Sequence, residues 1–175
     1  MNTSARLSVT GSKVVTQVAA LCCRMTKAGK PRILMITSRG TGRWILPKGW
    51  PIPGRSLAQS AAIEAWEEAG VRGVPIEQCL GEYEYEKWRR DLEPLSCLVR
   101  VYPVIVTALK DEFPEQEERK RSWKSPRKAA ALVQEKGLKA ILERFDPKVI
   151  ESDLFHSGSS RRERPVEPGA ATRKR

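Results

Sequence analysis

The sequence predicts an α/β sandwich, a single domain over residues 14–150 in which a mixed sheet is enclosed by two helices. Three observations lead there. Residues 56–70 carry signals for a helix start, an apolar stripe and a helix stop. Val14–Arg24, Arg32–Thr37 and Ser96–Leu109 are apolar runs of strand length, the first two separated by a turn that contains Gly29 and Pro31. Pro126–Phe145 returns to helical patterning, with an interruption expected near Gly137. The 175 residues suffice for one core and leave tails at 1–13 and 151–175.

Taken in order, Val14–Arg24 is the first strand and RILMIT (Arg32–Thr37) a short buried second strand. Ser38–Arg43 is a loop, Trp44–Leu46 a short strand, and Pro47–Arg55 a loop that feeds the helix. Ser56-Leu57-Ala58-Gln59 fits a capping box, with Ser56 as N-cap and Gln59 reaching back. Leu57, Ala61, Ala65 and Ala69 recur every four residues, a narrow apolar stripe suited to close packing on a sheet. Gly70 stands where a left-handed C-cap is expected. A further strand falls within Val74–Lys87. Pro103 inside Ser96–Leu109 points to an edge strand or a bulge, because proline has no N–H for a ladder.

Composition narrows the function classes. The chain carries 32 Lys and Arg against 21 Asp and Glu, a formal charge of +11. No run approaches the ~20 apolar residues needed to cross a bilayer, and no apolar signal core precedes Val14, so no membrane partner and a cytoplasmic location are expected. Cys22, Cys23, Cys79 and Cys97 form no CxxC spacing, and the single histidine is His156. Buried reduced thiols fit better than a zinc site. The stretch Ser157–Arg175 is polar and basic, net +4, and reads as a disordered tail. A nucleic-acid contact is conceivable only through that tail.

The chemistry concentrates in the helix. Residues 1–63 contain ten Lys and Arg and no acid; the first carboxylate of the chain is Glu64. Glu64, Glu67 and Glu68 then follow at i, i+3 and i+4, on one helix face and near its C-terminus. There they repel one another and face the negative end of the helix dipole. A hard divalent cation such as Mg²⁺ offsets both penalties. A solvated acidic face is the alternative.

The segment from Gly49 to Val71 resembles the Nudix box, G-x5-E-x7-R-E-U-x-E-E-x-G-U with U aliphatic. Gly49, Glu64, Glu67, Glu68, Gly70 and Val71 match it, with Ala65 at the first U. Arg55 stands where the pattern has Glu, and Ile63 where it has Arg. Residues 19–50 and Arg119-Lys120-Arg121-Ser122-Trp123 are further similar to the diphosphoinositol polyphosphate phosphohydrolase branch, and the likeness spans about residues 14–145. Ser122 replaces a Glu of that branch, Gln17 and Val18 replace basic residues, and Tyr85–Leu95 looks like an insertion.

This resemblance implies a Nudix-type α/β/α sandwich that hydrolyses a diphosphate linkage in a polyanionic small molecule. It implies Mg²⁺ or Mn²⁺ held by Glu64, Glu68 and the carbonyl of Gly49, with Glu67 as general base, although family members exchange these roles. Substrate phosphates fall to Arg39, Lys48 and Arg119, with Thr37 and Ser38 as neutral donors. Diphosphoinositol polyphosphate, diadenosine polyphosphate and inorganic polyphosphate are the substrates this suits. A nucleotide or 5′-capped RNA end would instead need an aromatic clamp, for which Trp50, Tyr83, Tyr85 and Trp88 are candidates. A non-catalytic phosphate-binding module is the third reading; three intact, crowded acids argue against it.

Overall fold

The computed structural model describes residues 14–89 and 92–148. The tails expected at 1–13 and 151–175, and His156 with them, lie outside the described residues. Eight strands form one mixed sheet: β1 (Val15–Met25), β2 (Pro31–Thr37), β3 (Trp44–Ile45), β4 (Lys48–Gly49), β5 (Val71–Pro75), β6 (Gly81–Arg89), β7 (Leu92–Leu109) and β8 (Arg121–Lys124). Its spine runs β3-β2-β1-β7-β5, while β4 pairs with β1, β6 with β7 and β8 with β2. The central pair, β1 and β7, is parallel, with Val15 opposite Cys97. Among the described residues three α-helices complete the fold: α1 (Leu57–Ala69), α2 (Pro126–Leu132) and α3 (Lys136–Glu143).

Alternation along β1 builds two cores. Val18, Ala20 and Cys22 pack under α1 with Ala58, Ala61, Ala65 and Ala69. Ala19, Leu21 and Cys23 face the opposite layer with Ala129, Leu138, Ile141 and Leu142 of α2 and α3. A strand buried on both faces reads as a continuous apolar run for this reason. Ala58, Ala61, Ala65 and Ala69 are fully buried, so the small stripe lets the helix backbone lie close on the sheet. That closeness brings the helix C-terminus against the β4 backbone.

The ends of α1 follow the sequence signals. Ser56 accepts the Gln59 N–H and Gln59 returns a bond to the Ser56 N–H, while Gly70 is left-handed at φ 67°. A cap of this kind contributes about 1 kcal/mol. One other expectation changes. Pro103 lies in a central strand, not at an edge. Its carbonyl accepts from Ile76 N–H at 3.0 Å, so the position that lacks an N–H faces the 76–80 connection, between the ends of β5 and β6 on that side of β7. Of the insertion-like stretch, residues 85–89 and 92–95 belong to β6 and β7, and Val74–Lys87 contains the expected strand as most of β6.

The C-terminal helical break lies at residues 133–135, and Gly137 sits in the first turn of α3. Gly137 is there for packing: a Cβ would come within 2.7 Å of the Tyr83 Cβ on β6. Among the described residues no helix is long and apolar enough to cross a membrane. Cys22, Cys23 and Cys97 are buried and Cys79 is half-buried, with no disulfide among the four.

Candidate active site

Gly49 and Glu64 meet at the point where β4 passes under α1. Any Cβ at residue 49 would overlap the Glu64 carboxylate. Glu64 is half-buried there, and its carboxyl is pushed up to about 7 by burial first, then by Glu68, Glu67 and Glu115. Glu68 is 7% exposed. One of its oxygens accepts the Lys48 N–H at 3.0 Å, and the other accepts from the guanidinium of Arg119. Burial raises its pKa, while Arg119 and the Lys48 N–H pull it the other way. Glu67 is exposed on the rim of the same face.

Arg119, expected as a phosphate contact, has a buried side chain, 4% of it exposed. Its Nε donates to Glu115 at 2.6 Å, its Nη1 to the Thr37 carbonyl at 3.1 Å and its Nη2 to Glu68. Glu115 is therefore a fourth carboxylate of the site, anchored by its own N–H to the Glu67 carbonyl at 3.0 Å. Nothing in the helix pattern announces it. The available signal is Glu115 four residues before Arg119 in an otherwise acidic run. Arg121, two residues on, donates to the Ala69 carbonyl at 3.0 Å and the Lys110 carbonyl at 2.6 Å. The segment 119–121 thus supplies positive charge to a helix end that has no basic residue of its own.

The remaining candidates lie around this centre. Lys48 and Gly49 are consecutive in a strand, so their side-chain positions diverge: Gly49 pairs with Val18 of the α1 core and Lys48 with Ala19 of the other. Lys48 Nζ donates to the Tyr85 hydroxyl at 2.9 Å, which donates to Gln17 Oε1 at 2.6 Å. Burial lowers the Lys48 pKa, opposed by Glu68. Arg39 is the outermost cation, 60% exposed, with Nη1 3.2 Å from Glu118 and 3.9 Å from Glu115. Thr37 and Ser38 serve the local fold: Thr37 Oγ1 accepts the Lys120 N–H at 2.9 Å and Ser38 Oγ the Arg43 N–H at 3.0 Å. Of the proposed base-clamping aromatics, Tyr83 is withdrawn into the core at 4% exposure, whereas Trp50 and Trp88 are exposed.

The donor set suits a hard cation. It consists of oxygens only, and each Glu68 oxygen accepts one hydrogen bond, which leaves a lone pair on each. The Gly49–Glu64 contact brings a carboxylate to the backbone expected to supply a carbonyl ligand. Among the described residues, no three His, Cys, Asp or Glu side chains converge as a ready-made cage. This fits an ion that keeps several water and phosphate oxygens of its own, as Mg²⁺ does.

Residues 15–145 match the family profile of the NUDIX domain. The chain belongs to the Nudix family. Nudix hydrolase 13, mitochondrial, of Arabidopsis thaliana is 31% identical over 151 residues, covering 79% of this chain and 75% of that protein. Nudix hydrolase 21, chloroplastic, from the same plant is 33% identical over 67% of this chain, and the match spans only 58% of that relative's length. The human diphosphoinositol polyphosphate phosphohydrolase 3-beta is 30% identical, covering 67% of this chain and 68% of that one. Among solved structures, a Caenorhabditis elegans Ap4A hydrolase binary complex superposes with a TM-score of 0.56 at 19% identity, over 78% of this chain and 98% of that chain. At that identity the likeness bears on the fold. This Nudix domain is of the pyrophosphohydrolase class, and its α/β/α sandwich is the fold the sequence predicts.

Proposed function

We propose that this Nudix domain hydrolyses a phosphoanhydride bond in a small, highly phosphorylated substrate with Mg²⁺ or Mn²⁺ as cofactor. The supporting observation is the Glu64 carboxylate against the Gly49 backbone, with Glu68 on the adjacent Lys48 N–H, Glu115 joined to Glu68 through Arg119, and Glu67 exposed beside them. Crowded carboxylates cost stability unless cations relieve them, and Arg119 pairs with Glu68 and Glu115. Glu64, Glu68 and the Gly49 carbonyl are the ligands in this reading. The ion acidifies a water and neutralises phosphoryl oxygens when bound. Glu67, exposed and one helical step from Glu64 and Glu68, accepts the proton from the attacking water. Arg39 and Lys48 receive substrate phosphates, the first from the rim and the second from the face of the sheet opposite α1.

Substrates of the diphosphoinositol polyphosphate, diadenosine polyphosphate or polyphosphate kind suit these cations. The human relative's name points to the first of them. Nucleotides or capped RNA are the second reading; it rests on exposed Trp50, with Lys87 Nζ 5.3 Å above its ring, and loses Tyr83 as a clamp. Four cysteines without a disulfide suit a reducing compartment such as the cytoplasm. The test is phosphate release from a panel of polyphosphorylated compounds with Mg²⁺ and Mn²⁺, repeated with Glu64→Gln and Glu68→Gln. Each substitution removes a charged ligand, so the metal concentration for half-maximal activity should rise steeply. Unchanged metal dependence in both variants would remove this helix face as the metal site.

A further inference from the structure

We propose that Arg119 is a positioning residue for Glu68, supplying from the β8 approach the cation that α1 does not carry. The inference rests on the metal-dependent reading above. Helix α1, LAQSAAIEAWEEA, contains no Lys or Arg. Position 63, arginine in the box pattern, is Ile63. Glu68 is nevertheless nearly sealed from solvent and has a partner on each oxygen, the Lys48 N–H on one side and Arg119 on the other.

Arg119 reaches three acceptors on three different parts of the chain: Glu68 on α1, Glu115 in the preceding loop and the carbonyl of Thr37 at the end of β2. A planar fork of five N–H groups makes such simultaneous contacts, whereas an ammonium is a point charge on a flexible stem. The arrangement fixes the Glu68 carboxylate and leaves a lone pair on each of its oxygens. A phosphate-contacting role is disfavoured by the same geometry. With 4% of its side chain exposed, Arg119 would have to abandon buried Glu68 and half-buried Glu115 to meet a substrate, and uncompensated buried charge is costly. The exposed Arg39, lying over Glu115 and Glu118, is better placed for that task.

The decisive comparison keeps the charge and removes the fork. Mn²⁺ binding to the substrate-free, full-length protein is measured by the electron paramagnetic resonance signal of unbound Mn²⁺, for wild type, Arg119→Lys, Arg119→Met and Glu68→Gln. Loss of an outer partner of a metal ligand costs about 10–100-fold in metal affinity or activity. Arg119→Lys is therefore expected to weaken Mn²⁺ binding about tenfold. Its kcat should fall by a similar factor for every substrate, with KM independent of phosphate number.

Wild-type Mn²⁺ binding in Arg119→Lys, with a KM that climbs with phosphate number, would make Arg119 a phosphate contact and overturn the proposal. Unchanged binding in Arg119→Lys with tighter binding in Arg119→Met would reduce it to a counter-charge that competes with the metal. A lowered melting temperature with unaltered Mn²⁺ binding and kinetics would leave only a structural role. Both also overturn it. Should Glu68→Gln bind Mn²⁺ as wild type does, the metal-dependent reading falls, and this inference falls with it. If Glu68→Gln is weakened and Arg119→Lys is not, this inference alone fails. Arg119→Lys retains the buried positive charge, so the comparison survives even if Arg119→Met does not fold.

Discussion

The Glu64 carboxylate lies against the backbone of Gly49, in the space that a side chain at residue 49 would occupy. Gly49 has no positive φ, so its lack of a Cβ matters here for room and not for backbone freedom. Gly49→Ala is expected to displace Glu64, destabilise the fold by about 1–3 kcal/mol as overpacking does, and raise the half-maximal metal concentration. Thermal melts with and without Mg²⁺ check this. A variant whose metal dependence matches wild type would show that Glu64 does not need this seat.

Glu67→Gln separates proton transfer from metal binding. Its side chain is exposed, and its buried neighbours hold the metal in the proposed arrangement. Turnover should fall by ~10²–10⁴-fold because an amide cannot accept the water's proton. Mn²⁺ affinity should stay near wild type. Near-native turnover would pass the base role to Glu64, Glu68 or Glu115.

Arg39 and Lys48 should respond differently to salt. Arg39 stands in solvent, so Arg39→Glu should raise KM most for the most phosphorylated substrates, and added salt should reproduce that trend in wild type. Screening acts over a Debye length of ~8 Å at physiological ionic strength. Lys48 is held on Tyr85 and largely shielded; Lys48→Met should raise KM by an amount that salt alters little. Steady-state kinetics at two ionic strengths distinguish the two. Equal salt sensitivity in both variants would place Lys48 at the surface during catalysis.

The thiols give a pH-dependent test of the double core. Burial pushes the Cys23 thiol up to about 12 and Cys22 higher still, with Cys23 itself adding to the second shift. A thiol with a raised pKa stays protonated and unreactive through neutral and mildly alkaline pH, and only the thiolate attacks. In the native protein an alkylating reagent should therefore modify half-buried Cys79 first, with Cys22 and Cys23 labelled only on unfolding. Peptide mapping of a labelling time course reads this directly. Early label on Cys22 or Cys23 would mean that β1 is not sealed between the two layers.

What could be read in the sequence was governed by local chemistry. The start and stop of α1 are written within fifteen residues, and the observed caps involve Ser56, Gln59 and Gly70. Glu64, Glu67 and Glu68 share a face because helical geometry requires it. Pro103 misled because proline usually breaks a strand ladder, and here a distant neighbour excuses it; the helix does break near Gly137, two residues before it. Pro103 lies where two successive partners of β7 leave a gap, and Gly137 lies where Tyr83 needs room. Glu115 and the burial of Arg119 were not legible. Both depend on a loop returning to a helix end across the sheet, which no spacing rule encodes.

That return has a consequence for how the chain is made. Arg119 is 51 residues beyond the Glu68 it holds. At about 5–20 residues per second, synthesis needs roughly 3–10 s to deliver the arginine after the acid has been added. During that interval the nascent helix has its three crowded glutamates and neither of the arginines that later reach its end. The helix must stand on its caps and its alanine stripe alone, and any fragment that stops short of residue 119 keeps the acids but lacks the cation that orders one of them.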